Sequence, residues 1–173
     1  MTFKVRYAAA MEWLYMACIG LSAAALVLIT LVIPYGVFMR YVMKSAASWP
    51  EPFAVLMMVA FTFIGGAAAY RANVHIAVQM LTDAVPAAAR RGLLWLADLC
   101  MVATALFMIV YGTQLVRVTW GQTIGEFPAL SVGITYLPIP IGGVLTVLFL
   151  VERWWVGAPP PESIMYRDQP LAE

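Results

Sequence analysis

The sequence predicts an all-α integral membrane protein with four transmembrane helices. Of its 173 residues, 64% are hydrophobic and 11% are charged, whereas an average soluble domain has about 45–50% apolar and about 25% charged residues. The charged residues leave four long uncharged windows, of 27, 19, 18 and 25 residues. These windows lie between Glu12 and Arg40, Glu51 and Arg71, Asp98 and Arg117, and Glu126 and Glu152. Because a transmembrane helix needs about 20 predominantly apolar residues, the windows predict four membrane spans.

The distribution of Lys and Arg predicts how the four spans are oriented. With four spans, the two tails and the middle connection share one side of the membrane. That side holds seven cations: Lys4, Arg6, Arg71, Arg90, Arg91, Arg153 and Arg167. The other side holds three: Arg40, Lys44 and Arg117. Since cytoplasmic loops carry the excess of Lys and Arg, we expect both termini inside and two short connections outside.

The first two spans have recognisable ends. The first begins near Glu12 and is longer than the hydrocarbon core, so that tilting or a kink at Pro34 is expected. The second follows the run from Ser48 to Glu51, which fits a capping box with a proline in the first turn. Small residues close this second span, with Gly65 and Gly66 among them, and small residues allow another helix to approach closely.

The second half of the chain contains one segment too polar to cross the membrane. Residues 73–86 place apolar side chains on one side and polar ones on the other, which predicts a short amphipathic helix at the cytoplasmic interface. The third span begins after Pro86, an outward loop follows near residues 119–128, and Pro138 and Pro140 interrupt the start of the fourth span. We therefore predict a single transmembrane domain over residues 1–156. The Pro-rich cytoplasmic tail, residues 157–173, is expected to be disordered.

The sequence offers little that could carry catalysis or hold a cofactor. No nucleophile, base and orienting group share a segment, so we expect no enzymatic activity. His75 is the single histidine and lacks the further ligands of a metal or haem site. Neither a metal nor a cofactor is therefore expected. The net charge of +1 provides no basic surface for nucleic acid.

Two intramembrane features leave alternative functions open. Asp98 lies inside the third window, where a carboxylate is a functional candidate by default. It either forms a charge pair with Arg91, about two helical turns away, or serves a self-sufficient, proton-coupled small transporter. Cys18 and Cys100 lie in separate windows without a CxxC motif. A quinone-linked oxidoreductase using these two thiols is the least favoured alternative.

A combination of short motifs, spread over roughly residues 30–150, is specific enough to suggest a family. The motifs are Arg40-Tyr41, Ser48-Trp49, Phe63-Ile64-Gly65-Gly66-Ala67-Ala68, Arg71 with His75-Ile76-Ala77-Val78, Pro128-Ala129-Leu130, and Pro138-Ile139-Pro140-Ile141-Gly142. Together they resemble the small membrane subunit, DctQ-type, of tripartite ATP-independent periplasmic (TRAP) transporters. The resemblance implies an accessory subunit of a sodium-driven uptake system for organic acids in the bacterial inner membrane.

The resemblance also implies partners and a set of interface residues. A large membrane subunit would carry the solute and bind the coupling sodium, and a periplasmic binding protein would dock transiently and select the solute. Membrane lipids are the third partner. The residues that we expect at partner or lipid interfaces are Arg40, Lys44, Ser48, Trp49, Glu51, Gly65, Gly66, Arg71, His75 and Glu126.

Overall fold

The four predicted spans are confirmed by the computed structural model, which describes residues 3–45, 47–72 and 86–157. The elements are α1 (Phe3–Tyr41), α2 (Pro50–Arg71), α3 (Ala87–Thr119), β1 (Thr123–Ile124), β2 (Phe127–Ser131), α4 (Val132–Tyr136) and α5 (Pro138–Trp155). The segments long and apolar enough to cross a membrane are Lys4–Tyr41, Pro50–Arg71, Gly92–Thr119 and Val132–Trp155. The predicted interfacial helix and His75 lie outside the described residues, as does most of the Pro-rich tail.

The ends of the first two helices differ from the prediction. Helix α1 begins at Phe3 instead of near Glu12, because charged residues such as Lys4 continue the helix beyond the apolar window. Pro34 lies inside this helix. The predicted capping box at Ser48 is wrong, because Trp49 is the N-cap residue of α2 and forms no side-chain capping bond. With Trp49 in that position, Pro52 is the third helical residue and has no N–H for a cap to accept.

The connection between α3 and the last span contains a small sheet where a loop was predicted. Strands β1 and β2 pair antiparallel, with Ile124 opposite Phe127 and Thr123 opposite Ser131. Gly125 and Glu126 form the two-residue turn between them. The β-branched and aromatic residues on either side favour extended backbone, and the Gly-Glu turn brings them together. This places Glu126 at the tip of a hairpin.

The last span is divided into a short and a long helix, as the two prolines predicted. Helix α4 ends at Tyr136 and α5 begins at Pro138. The hydroxyl of Ser131 caps α4 by accepting the N–H of Gly133 at 3.0 Å, and it donates to the carbonyl of Trp120 at 2.6 Å. The cap therefore fixes the hairpin to the end of α3.

The four spans pack side by side in the order α1, α2, α5, α3. Two adjacent glycines of α5 allow this arrangement. A Cβ added at Gly142 would lie 2.7 Å from the carbonyl oxygen of Phe63 on α2, and one added at Gly143 would lie 2.9 Å from the carbonyl oxygen of Ala105 on α3. Helix α5 thus contacts a neighbouring backbone on each side.

The buried core lies toward the end of the bundle where α2 and α5 terminate. Its members come from α1, α2 and α5: Met11, Tyr15, Cys18, Ile64, Ala67, Ala68, Tyr70, Leu145, Phe149 and Leu150. The outer helices contribute less of their surface to packing. Only 17% of the membrane window of α1 and 6% of that of α3 are buried, compared with 28% for α2 and 33% for the α4–α5 span.

Candidate functional site

Arg71, the last residue of α2, lies in a buried ion network. Its guanidinium donates to both carboxylate oxygens of Glu152 on α5, with Nε–Oε2 and Nη2–Oε1 distances of 2.7 Å. Its Nη1 donates to Oε2 of Glu12 on α1 at 2.8 Å. The side chains of Arg71 and Glu152 are only 3% and 5% exposed. A charged pair buried to this extent is stable only with such bidentate geometry, because both ions have lost their water.

Aromatic rings surround the guanidinium. Its carbon lies 4.9 Å from the ring centre of Tyr15 and 5.7 Å from that of Phe149, distances at which the ring face attracts a cation. The second oxygen of Glu12, Oε1, is buried and has no hydrogen-bond partner among the described residues. The network contains one cation, Arg71, which pairs with two carboxyl groups, those of Glu12 and Glu152.

Asp98 of α3 forms a second polar group beside the first. Its carboxylate accepts from Trp154 Nε1 at 3.0 Å and from the Tyr70 hydroxyl at 3.4 Å. Arg153 Nη1 lies 3.6 Å from Asp98 Oδ1. The ion-pair partner that the structure shows for Asp98 is thus Arg153, whereas the sequence suggested Arg91, whose side chain is not among those described.

The two groups together connect all four spans. Tyr70 and Arg71 are consecutive on α2, and Glu152, Arg153 and Trp154 are consecutive on α5, so that each helix serves both groups. We call these residues, with Glu12 and Asp98, the terminal polar cluster. The cluster links α1, α2, α3 and α5 at one end of the bundle by hydrogen bonds and ion pairs in place of apolar contacts alone.

A pocket with three charged lining residues lies at the opposite end of the bundle. Its volume is about 480 Å³, and its lining residues are Arg40, Ala47, Ser48, Glu51, Pro52, Val55 and Glu126. We call it the loop pocket. Arg40 forms an ion pair with Glu51 there, and their side chains are 55% and 72% exposed. The structure thus brings four of the predicted interface residues together: Arg40, Ser48, Glu51 and Glu126.

Two further interface candidates lie near the loop pocket without lining it. Trp49 packs between Tyr35 and Phe53, with ring centres 5.7 and 6.2 Å away. Lys44 is exposed and adopts a left-handed backbone conformation with φ of 51°, which is uncommon for a residue with a side chain. The chain therefore turns sharply at Lys44 between α1 and α2.

The predicted packing glycines differ from each other in their surroundings. A Cβ added at Gly65 would lie 3.1 Å from the hydroxyl oxygen of Ser22 on α1, whereas one added at Gly66 would meet nothing within 4 Å. Both line an open groove of about 570 Å³ between α1 and α2. Gly65 is thus part of the contact between these helices, and Gly66 is not.

Sequence reasoning missed several residues of the terminal polar cluster. Glu12 and Glu152 were used only as borders of uncharged windows, although their position at the same membrane level as Arg71 was a signal for pairing. Gly142 was noted only as part of a family motif, and Gly143 was not singled out. Within the described ranges, the structure brings no three His, Cys, Asp or Glu side chains together in a group that could hold a metal ion.

Comparison with known proteins relates the chain to a transporter family. The sequence profile described as "Tripartite ATP-independent periplasmic transporters, DctQ component" matches residues 29–159. Two Haemophilus influenzae proteins named as TRAP transporter small permease proteins are similar to this chain. One is 24% identical over 133 residues, which are 77% of this chain and 82% of the relative. The other is 24% identical over 117 residues, which are 68% and 69% of the two chains.

Proposed function

This chain belongs to the DctQ component family of the tripartite ATP-independent periplasmic transporters, and from that premise we propose that it supports a large transport subunit in the bacterial inner membrane. The family profile, which covers residues 29–159, carries this proposal. In the proposed system, the large subunit moves an organic acid together with sodium, and a periplasmic binding protein delivers the solute. The small subunit itself moves neither.

The terminal polar cluster supports a static role. A helix that slides or rotates during transport would have to break the two parallel hydrogen bonds between Arg71 and Glu152. The side chains of these residues are only 3% and 5% exposed. Breaking such a buried pair is costly, because each ion is left without water or a partner. With all four spans joined through the cluster, the subunit is suited to enlarge the non-moving part of the transporter.

The contacts of Asp98 favour this accessory role over a self-sufficient proton-coupled transporter. Its carboxylate has three partners, Tyr70, Arg153 and Trp154, and its side chain is 13% exposed. A proton-carrying carboxylate in a membrane usually faces a water-filled cavity. A carboxylate that is held by a cation, an indole and a phenol is better suited to join α2, α3 and α5.

We propose, from the seven-to-three excess of cations, that the terminal polar cluster lies at the cytoplasmic end of the bundle and the loop pocket at the periplasmic end. The loop pocket would then face the soluble binding protein. Its exposed charges, Arg40, Glu51 and Glu126, are of the kind that steer and orient a transient partner. We propose that this pocket contributes to the docking surface.

Reconstitution tests the accessory role. Proteoliposomes are prepared with this chain alone, and with this chain, the large membrane subunit and the binding protein. The probe is the organic acid that most raises the melting temperature of the binding protein. We expect sodium-driven uptake only from the three-part system. Uptake by the purified chain alone, at a rate comparable with that of the complete system, would contradict the proposal.

A further inference from the structure

Helix α3 carries a row of exposed residues along one face. The row consists of Cys100, Thr104, Phe107, Tyr111, Gln114 and Val118, all of which are exposed. Their spacing alternates between four and three residues, which keeps all six on one face of the helix. At about 1.5 Å per residue the row is about 27 Å long, close to the hydrocarbon thickness of about 30 Å. We call this row the α3 seam.

The α3 seam faces away from the rest of the bundle. The residues that meet α4 and α5 lie on the other side of the helix, where Ala105 and Ile109 approach Gly143, and Val116 approaches Gly133. Helix α3 is also the least buried of the four spans, with 6% of its membrane window buried. The α3 seam is thus left uncovered by the described part of this chain.

The chemistry of the α3 seam is unsuited to lipid alone. Gln114 is the single Asn or Gln within the four spans, and its amide forms no hydrogen bond with any residue the structure describes. Lipid tails offer it no partner, whereas amide side chains bond readily across helices in membranes. By contrast, Thr30 on the exposed surface of α1 donates to the carbonyl of its own helix at Leu26, at 2.8 Å.

An aromatic pair lies in the middle of the α3 seam. The rings of Phe107 and Tyr111 have centres 4.5 Å apart, and the two residues are 61% and 56% exposed. The two rings, whose planes are inclined at 34°, form an exposed apolar surface that begins one helical turn from Gln114. A partner helix would meet this surface and the Gln114 amide along the same line.

We infer that the α3 seam is the surface on which a transmembrane helix of the large subunit packs, with a hydroxyl, amide or carbonyl of that helix bonded to Gln114. This inference rests on the proposed accessory function. The occupant is a helix of the large subunit because this is the membrane partner in that proposal and because the amide requires a hydrogen-bonding neighbour within the membrane. The exposed surface of α1 is lipid-facing in this arrangement.

Site-specific cross-linking tests the location. Phe107 is replaced by p-benzoylphenylalanine, an aromatic for an aromatic, and Leu31, which is 64% exposed on α1, is replaced in the matched control. Each chain is co-expressed with a tagged large subunit and irradiated. We expect the adduct with the large subunit from position 107 and little from position 31. Equal adducts from both positions, an adduct between two copies of this chain, or none at position 107 would overturn the inference.

Loss of the amide provides a second, independent measurement. Gln114→Leu should weaken recovery of the large subunit by about threefold, the factor that corresponds to about 0.6 kcal/mol for one interhelical hydrogen bond. Thr30→Val on α1 should leave recovery unchanged. If the unmodified chain recovers no large subunit, the proposed function fails. If recovery is normal and Gln114→Leu and Thr30→Val behave alike, only the assignment of the α3 seam fails.

Discussion

At the residue scale, Arg71 is the side chain on which the terminal polar cluster depends. It forms ion pairs with two carboxyl groups, those of Glu12 and Glu152, on two different helices. Arg40 provides a natural comparison within the same protein, because its ion pair with Glu51 is exposed. An exposed pair is screened by water, whereas removal of one member of a buried pair leaves an isolated charge.

Replacement of Arg71 should therefore destabilise the protein far more than replacement of Arg40. We expect Arg71→Met to cost about 3–5 kcal/mol and Arg40→Met less than about 1 kcal/mol. Arg71→Lys should fall between them, because an ammonium group cannot form the two parallel bonds to Glu152. Thermal unfolding of the purified variants in one detergent measures the difference.

The same variants separate an anchoring role of Arg71 from partner recognition. In the assembled transporter, the anchoring role predicts a lower melting temperature with an unchanged half-saturating solute concentration. Normal stability of Arg71→Met combined with lost uptake would show that Arg71 acts through a partner. Addition of Glu152→Gln to Arg71→Met should restore part of the stability, because the unpaired buried charge is removed.

At the element scale, the positions of the four spans were predictable because each is an uncharged window of membrane length. The break at Leu137 was predictable from Pro138 and Pro140. The hairpin at residues 123–131 was not predictable, because Gly125 and Pro128 are equally typical of an open loop, and the pairing of β1 with β2 depends on contacts across the turn. Spacing along one helix reveals its faces, but the partner of a face depends on how the helices are arranged.

Helix contacts illustrate this difference between composition and arrangement. The Gly65-Gly66 pair and the Gly142-Gly143 pair are indistinguishable as sequence signals. In the structure, Gly142 and Gly143 both lie against neighbouring backbone, whereas Gly66 meets nothing within 4 Å. The order α1, α2, α5, α3 decides which glycine is needed, and no local pattern encodes that order.

An alanine substitution distinguishes the two glycine pairs. Gly142→Ala would place a methyl group 2.7 Å from the carbonyl oxygen of Phe63, so α2 and α5 must separate. We expect a loss of about 1–3 kcal/mol, as for other overpacked contacts. Gly66→Ala is the matched control and should be neutral or stabilising by about 0.5–1 kcal/mol, because alanine is the better helix former. If Gly142→Ala and Gly66→Ala had equal melting temperatures, α2 and α5 would have to move apart without loss of stability.

At the scale of the whole molecule, the two ends of the bundle differ in chemistry. The terminal polar cluster joins four helices and buries the Arg71–Glu152 ion pair. The loop pocket has a volume of about 480 Å³, and its charged side chains are exposed. Charges that stabilise a fold are withdrawn from water, and charges that guide a soluble partner remain in it. The molecule thus has one end suited to holding helices together and one end suited to transient contact.

Charge reversal in the loop pocket tests the docking role of the open end. Glu126 lies at the hairpin tip and lines the pocket, whereas Lys44 is exposed outside it, so the two reversals test different parts of the surface at this end of the bundle. We expect Glu126→Lys to raise the half-saturating concentration of binding protein in the uptake assay, with the effect shrinking as salt rises. Lys44→Glu should have the smaller effect.

The control is the recovery of the large subunit, which must be normal for both reversals, since neither residue lies on the α3 seam or in the terminal polar cluster. A raised half-saturating concentration with a normal membrane complex assigns the effect to encounter with the soluble partner. An unchanged curve for both reversals would place the docking surface on the large subunit alone. The small subunit would then act solely within the membrane, through the helices that its terminal polar cluster holds together.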